Sequence, residues 1–307
     1  MKQIAVVIVN WKTPKLTVDT IDSLNKINTS GFKYHVYLIE NGSPDDSLKI
    51  FKQEYRNNSL VTLIPLKDNQ GYAGGNNHGI KAAFIKSPDF VLLLNNDVIL
   101  DPMFLSNLLK SFKKHKNIGL IGPKIYFAPG FEYHKSRYSQ KDLGHVIWSV
   151  GSEMDWNNVY GKNLGIDTVD HGQFNEFRSD LESTTGCCLL ISTDVFRKVG
   201  FLSTDYFMYY EDNDFCQKVK TAGFLIAYEP TAVIWHLNSG SSGAGGGPLH
   251  DYFLTRNRLI FGFRYASLRT KFALIRDSCR TLFIGTSWQK RGVIDYYLHK
   301  FGKGSWQ

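Results

Sequence analysis

Two clusters of polar residues carry the chemistry open to this chain. Asn95-Asn96-Asp97 follows the apolar run Phe90–Leu94 without a break. A short run with no alternation reads as a strand buried on both faces. Asp97 then stands at the carboxyl end of that strand, where open α/β sheets bind ligands. A carboxylate there can hold a divalent cation against a diphosphate. The second cluster is Glu211-Asp212-Asn213-Asp214, placed after Tyr209-Tyr210 at the start of a helical pattern. One acid at a helix start, here Asp214, is accounted for by capping. Three so close repel one another, and carboxylates crowded beside aromatic rings are where a raised pKa and a general base are found. His236 ends the run Ala232–Trp235 just before a Gly/Ser-rich stretch and is a candidate second ligand. A histidine with a carboxylate and phosphate oxygens suits Mn²⁺ at least as well as Mg²⁺. Each feature also has a plainer reading, as a turn, a cap or a structural histidine; it is their pairing that favours chemistry.

The elements that must position these residues alternate along the first hundred positions. Ile4–Val9, Val36–Ile39, Leu60–Ile64 and Phe90–Leu94 read as strands. Helices are expected after Thr13-Pro14, around Ser47–Tyr55 and over Asn76–Ile85, the first with Thr13 as N-cap and proline at its first position. This β-α-β-α-β-α-β order predicts an α/β fold, a Rossmann-like mostly parallel sheet with flanking helices. A glycine-rich loop, Gly71–Gly75, opens the third helix and resembles a phosphate cradle. Asp101-Pro102 is expected to cap another helix, and Gly119–Pro123 to form a short strand. Residues 128–180 read as irregular, with a few short strands. Leu189–Ile191, Leu225–Tyr228 and Ala232–Trp235 are further strands, and Asp212–Ala222 a helix. Ser239–Gly247 reads as a flexible linker, followed by a mostly helical tail. The division expected is 1–248 as the main domain, with a nucleotide-binding half (1–100) and an acceptor half (101–248), and 249–307 as a basic helical extension. A metal-held nucleotide with a base facing it is the layout of a nucleotide-sugar transferase.

The chain resembles the inverting family 2 glycosyltransferases, on the rhamnosyltransferase-like side. The matching motifs are Val7–Trp11, Glu40-Asn41-Gly42-Ser43, Asn69–Asn77, Leu94–Asp97, Thr185-Gly186, Tyr209–Cys216, Tyr228–Pro230 through His236, and Tyr252–Arg258. The resemblance implies a GT-A fold and a nucleotide-sugar donor, dTDP-rhamnose or a UDP-sugar. It implies Asp97 and His236 as metal ligands for Mn²⁺ or Mg²⁺ and Asp212 as catalytic base, with Glu211 beside it as the other candidate. Asn10, Glu40, Asn69, Gly71, Gly74, Asn76, Asn95 and Asn96 would line the donor. Glu40 stands where the family usually has Asp for the pyrimidine, and the metal motif has a single acid. Metal binding should therefore rely on the nucleotide diphosphate. The reaction implied is a single displacement onto a saccharide acceptor, lipid-linked as in surface-polysaccharide assembly, with Trp148, Trp156, Tyr209 and Trp235 as candidate acceptor platforms.

Composition sets the outer bounds. With 43% hydrophobic and 21% charged residues the chain can build a sizeable core, and its apolar runs are too short to cross a membrane. The sequence opens on a strand-like run without a signal peptide pattern, so a cytoplasmic location is expected. Cys187, Cys188, Cys216 and Cys279 suit neither a disulfide framework nor zinc and read as buried thiols. The net charge is +8, and Leu249–Gln307, with eleven basic and three acidic residues, holds the whole excess. Arg256, Arg258, Arg264, Arg269, Lys271, Arg276 and Arg280 interleave there with Phe253, Leu254, Leu259, Ile260, Phe261, Phe263, Leu268, Phe272 and Leu274. That pattern fits helices lying in an anionic membrane surface, on the inner face of the cell membrane. Packing of the apolar face on the main domain, or an oligomer contact, is the alternative. Nucleic acid is not expected as a partner. Two rivals are weighed: a sugar-nucleotide pyrophosphorylase, which lacks its Arg/Lys-containing loop after the first strand, and a non-catalytic saccharide-binding protein, which would not need Asp97, Asp212 and His236 together.

Overall fold

The first strand, β1 (Lys2–Asn10), is buried from Ile4 to Ile8 and again at Asn10, and sits inside a nine-stranded sheet. The computed structural model describes residues 1–238 and 247–306. After β1 come α1 (Pro14–Leu24), β2 (Phe32–Glu40), α2 (Ser47–Glu54), β3 (Val61–Pro65), α3 (Gly71–Phe84), β4 (Phe90–Leu94) and β5 (Val98–Leu100). The chain continues through α4 (Phe104–Lys114), β6 (Ile118–Phe127), β7 (Ile147–Ser149), β8 (Ser152–Asp155) and β9 (Tyr160–Asn163). It then forms β10 (Cys188–Ser192), α5 (Thr193–Val199), α6 (Glu211–Thr221), β11 (Leu225–His236), α7 (Pro248–Tyr265), α8 (Leu268–Ile284) and α9 (Ser287–Tyr297).

Strand order is β3-β2-β1-β4-β10-β6-β11-β5, with β7 on β6. β1 to β4 are mutually parallel. β10 runs against both β4 and β6, β11 runs with β6, and β5 runs against β11. The chain moves outward from β1 to β3 and then crosses back to β4, so a topological switch point lies between β1 and β4. Alternation sorts the side chains. Ile4, Val6, Ile8, Leu92 and Leu94 join Ile21, Leu24, Phe51 and Phe104 in one core. Ala5, Val7, Val91 and Leu93 face the other way, onto Ala73 and Ile80 of α3 and Phe215 and Val219 of α6. The parallel half is therefore covered by helices on both faces, which explains its unbroken apolar runs.

Several local expectations are corrected. Thr13 precedes α1, but its side chain does not cap it; the hydroxyl accepts from Asn96 Nδ2 at 2.7 Å instead. Leu225–Tyr228 and Ala232–Trp235 are one bulged strand, β11, with register shifts between Leu225 and Ile226 and between Glu229 and Val233. β6 is twice the expected length, and β5 follows Asp97 directly. Cys279 is exposed, whereas the other three cysteines are buried. Of the expected linker, residues 239–246 lie outside the described residues.

The basic tail is helical, but it is not one amphipathic face. Leu259, Ile260 and Phe261 of α7, with Leu274 of α8 and Val293 of α9, form a third core with Met154, Val159, Tyr206 and Tyr210. Phe253 and Arg256 are fully buried. Much of the interleaved pattern thus belongs to the fold.

Candidate active site

The carboxyl ends of β1, β2 and β4 bring Asn10, Glu40 and Asn96 side by side, since Asn10 pairs with Glu40 in register and Ile8 with Leu94. Asn96 Nδ2 donates to Thr13 and Thr17 hydroxyls at 2.7 and 2.8 Å. The Thr17 hydroxyl donates to Asn10 Oδ1 at 2.8 Å. Glu40 is buried and accepts from the Ser43 amide at 2.9 Å, closing the turn after β2. These residues form a rigid polar floor at the switch point.

The glycine-rich loop differs from the expected cradle. The amides of Gln70, Gly71 and Tyr72 donate to Asn41 Oδ1, Asn69 Oδ1 and the Phe207 carbonyl at 3.0, 2.8 and 2.8 Å. They are occupied by protein and are not free to cradle a phosphate. Gly71 has φ +70°, and a Cβ there would sit 2.1 Å from the Phe207 carbonyl oxygen. Glycine is required here for close approach of two backbones. Asn76 Nδ2 turns back to the Tyr72 carbonyl at 2.9 Å, and Gly74 leaves room for the Gln70 side chain.

Asp97 and His236 meet although distant in sequence. β11 pairs with β5 so that His236 lies opposite Val98. His236 Nε2 is 3.1 Å from Asp97 Oδ1, and both side chains are buried. Trp148 packs edge-on against the His236 ring. His236 Nδ1 and Trp148 Nε1 are buried polar atoms with no hydrogen-bond partner among the described residues.

The second cluster divides its three acids. Asp214 is fully buried and accepts from Tyr265, Tyr206 and Arg264 at 2.9, 3.0 and 3.1 Å, and Lys218 Nζ lies 2.7 Å away. It anchors α6 to α7 and does not cap the helix, correcting the sequence expectation. Asp212 is partly exposed and accepts from the Gly186 amide at 3.1 Å and from the Asn213 amide and side chain at 2.8 and 3.1 Å. Glu211 is buried, and its Oε2 has no donor. Burial, then the neighbouring Asp212 carboxylate, pushes Glu211 well above the carboxylic acid's ordinary pKa. Burial also raises Asp212, against the pull of its amide donors. Amide donors favour the charged form of Asp212, whereas Glu211 Oε2 has none, so of the two carboxyls Asp212 is the better placed to hold a negative charge.

One segment joins the two clusters. The Gly186 amide binds Asp212, while the next carbonyl, of Cys187, accepts from the Asn95 amide at 2.8 Å. Burial and then the Asp97 carboxylate raise the Cys187 thiol, as expected if Asp97 lies close by. Tyr72 completes the connection: its hydroxyl donates to the Gly186 carbonyl at 2.5 Å, and a Cβ on Gly186 would strike it at 2.6 Å. Phe207, Tyr209 and Tyr210, just before Glu211, all have left-handed φ, 65–72°. Three such residues cost about 1–3 kcal/mol each. Asn257 of α7 holds them, its Nδ2 donating to the carbonyls of Tyr206, Met208 and Tyr209 at 2.9, 2.7 and 3.0 Å.

Residues 2–262 match the family described as glycosyltransferase like family 2. The chain belongs to this family. Over 221 residues, 72% of this chain and 62% of the relative, it is 25% identical to the low-salt glycan biosynthesis hexosyltransferase Agl10 of Haloferax volcanii. It is 27% identical over 220 residues, 68% of each chain, to the N-acetylglucosaminyl-diphospho-decaprenol L-rhamnosyltransferase of Mycobacterium tuberculosis. The match thus spans less than two thirds of the hexosyltransferase. In fold it is similar to GalNAc-T7 solved with UDP, GalNAc and Mn²⁺, with TM-score 0.67, 15% identity, and 97% of this chain and 55% of that one covered. It is also similar to the mannosyltransferase PcManGT of Pyrobaculum calidifontis solved with GDP-Man and Mn²⁺, with TM-score 0.52, 12% identity, and 99% and 87% covered. The fold is GT-A.

Against this glycosyltransferase frame the expected acceptor aromatics separate. Trp156 donates to Glu182 at 3.2 Å and stacks on Phe261. Trp235 donates to the Gly144 carbonyl at 2.9 Å. Both have internal structural partners. Trp148 lies against His236, and Tyr209 stacks on His250. Sequence reasoning missed Tyr72, Asn41 and Asn257 as site-building residues. They lie inside motifs noticed as strings, but the partners that give them meaning are far away in the chain.

Proposed function

We propose that the protein transfers a sugar, with inversion, from a nucleotide-sugar donor to a hydroxyl of a saccharide acceptor. The observation that supports this reading is the shared Gly186–Cys187 segment: its Gly186 amide donates to Asp212, and its Cys187 carbonyl accepts from Asn95, two residues before the Asp97 that meets His236. Asp212 takes the proton of the acceptor hydroxyl. The freed oxygen bonds to the anomeric carbon as the bond from that carbon to the diphosphate breaks, and the nucleoside diphosphate leaves with the electron pair. Burial, which raises the Glu211 pKa, disfavours a second negative charge beside the base.

Asp97 and His236 would hold a divalent cation between them: their facing atoms are 3.1 Å apart, both side chains are buried, and His236 Nδ1 has no hydrogen-bond partner among the described residues. Among the described residues no third His, Cys, Asp or Glu joins them, so diphosphate oxygens and water would complete the shell. Such an ion supplies Lewis-acid help to the leaving diphosphate, and the nitrogen ligand suits Mn²⁺ at least as well as Mg²⁺. The name of the mycobacterial relative supports a rhamnosyl donor and a lipid-linked saccharide acceptor; dTDP-rhamnose and a UDP-sugar are the donors to test. The polar floor of Asn10, Glu40 and Asn96 would meet the nucleotide.

The test is calorimetric titration with a panel of nucleotide sugars, with and without Mn²⁺, followed by a donor-turnover assay. Binding of one donor that strengthens with Mn²⁺, with turnover lost in Asp212→Asn but binding kept, is expected. Tight saccharide binding with no turnover of any donor would return the non-catalytic reading.

A further inference from the structure

The sequence pattern suggested that the whole tail faces an anionic surface, yet α7 is committed to the interior. What the fold leaves outside is one face of α8. Leu268, Phe272 and Phe283 are 75%, 71% and 82% exposed, and Ile275, Leu282 and Ile284 are exposed as well. Leu268, Phe272, Ile275, Cys279 and Leu282 follow one another at steps of four, three, four and three residues, which draws a single stripe on a helix of 3.6 residues per turn. The opposite face, Thr270, Leu274 and Ser278, is buried.

Charge borders this stripe. Arg269, Arg276 and Arg280 form a row along one side, and Lys271 lies on the other. None of the four has an ion pair among the described residues; the one acid of α8, Asp277, is paired with Arg258 of α7. Arg269 and Arg276 line one groove with Asn157 and Phe272. An apolar ridge of this length, bordered by unpaired cations and free of unpaired acids, suits an interface with an apolar interior and an anionic rim. No described helix is long and apolar enough to cross a membrane, so the complementary geometry is a helix lying in the plane of the headgroups.

We propose that α8 docks the protein onto an anionic lipid surface, with Leu268, Phe272, Ile275, Leu282 and Phe283 inserted among acyl chains and Arg269, Arg276 and Arg280 on lipid phosphates. This inference does not depend on the donor or the acceptor. The docking face lies on the far side of α8 from the third core, so insertion leaves the fold intact.

The experiment is co-sedimentation of the full chain with vesicles of phosphatidylglycerol and phosphatidylcholine, and with phosphatidylcholine alone. Expected are sedimentation with the anionic vesicles, release as salt rises, and little binding to the neutral ones. Each basic residue near such a surface is worth about fivefold in partitioning, so Arg269→Glu/Arg276→Glu lowers it by more than tenfold. Phe272→Ser/Phe283→Ser lowers it comparably. Thermal melts followed by circular dichroism should show both double variants folded like the parent. Absence of sedimentation, equal binding to both vesicle types, or binding undiminished in folded variants overturns the proposal. So does a concentration-dependent dimer that Phe272→Ser/Phe283→Ser dissolves while vesicle binding is absent; that outcome assigns the stripe to a second copy of this chain.

Discussion

Helices α7 and α8 are neighbours of nearly equal length, 18 and 17 residues, and both interleave arginine with large apolar side chains. Their fates are opposite. In α7, Arg256 is fully buried and donates to the carbonyls of Tyr206, Asp205 and Lys300. Asn257 beside it holds the left-handed turn that delivers Glu211 and Asp212. In α8, the arginines reach solvent and the ridge of Phe272 and Phe283 touches no core. The difference teaches that charge–apolar interleaving marks a helix with two demands without saying which side meets them. A buried arginine is tolerable where backbone carbonyls await donors, and Asp205 and Tyr206, just before the strained 207–210 segment, supply two of them, with Lys300 the third. α8 has no such acceptors on its outer side.

The largest expected effect tests whether α7 serves the site that the acids form. Asp212→Asn keeps shape and removes basicity, so turnover should fall by about 10²–10⁴-fold with an unchanged melting curve and unchanged donor affinity. Near-normal turnover would move the base to Glu211. Asn257→Ala comes next. It leaves the Met208 and Tyr209 carbonyls without this donor, whereas the Tyr206 carbonyl keeps Arg256. At about 0.5–1.5 kcal/mol for each hydrogen bond lost, urea unfolding should show a loss of ~1–3 kcal/mol, with turnover reduced in whatever remains folded. A variant as stable as the parent would break the claim that α7 restrains the turn.

A smaller effect separates the two carboxyls on α6. Glu211 has a folded pKa above its ordinary 4.5, so between those values the folded state holds a proton that the unfolded chain has released. Stability therefore falls as pH rises from about 4.5 through the folded pKa. Glu211→Gln removes that slope. The melting-temperature gap between variant and parent should open in the variant's favour as pH increases, while turnover stays within about an order of magnitude of the parent. A gap that closes with rising pH would mean that Glu211 is ionised in the fold.

How much of this was legible in the sequence follows the range of the interactions. The strands β1 to β4, and Asp97 at the end of the last of them, were readable because buried runs and their ends are local signals. Asp97 with His236 and the acid cluster were readable as residue types, and the family resemblance tied them together. The convergence on Gly186 was not readable, because the Tyr72–Gly186 and Asp212–Gly186 bonds join residues far apart in the chain. The partners of the loop's first amides were unreadable for the same reason: those of Gln70, Gly71 and Tyr72 look free until Asn41, Asn69 and Phe207 arrive. Asp214 was read as a cap because its partners, Arg264 and Tyr265, lie fifty residues on in α7.

The smallest expected effect is on the other side of the comparison, and its size is the point. Arg269→Ala in α8 removes a side chain that makes no ion pair among the described residues and lies outside every core cluster. Surface substitutions of this kind stay within about 0.5 kcal/mol, so urea unfolding in the absence of lipid should not distinguish the variant from the parent. Donor turnover in solution should match as well, because among the described residues no hydrogen bond links α8's outer face to Asp212. Arg256→Ala in α7 is the matched control. It removes a buried guanidinium and its donors to three carbonyls, and a loss of about 3 kcal/mol or more is expected. If Arg269→Ala destabilised the free protein as Arg256→Ala does, α8's outer face would be packed in solution, and the contrast between the two helices would collapse.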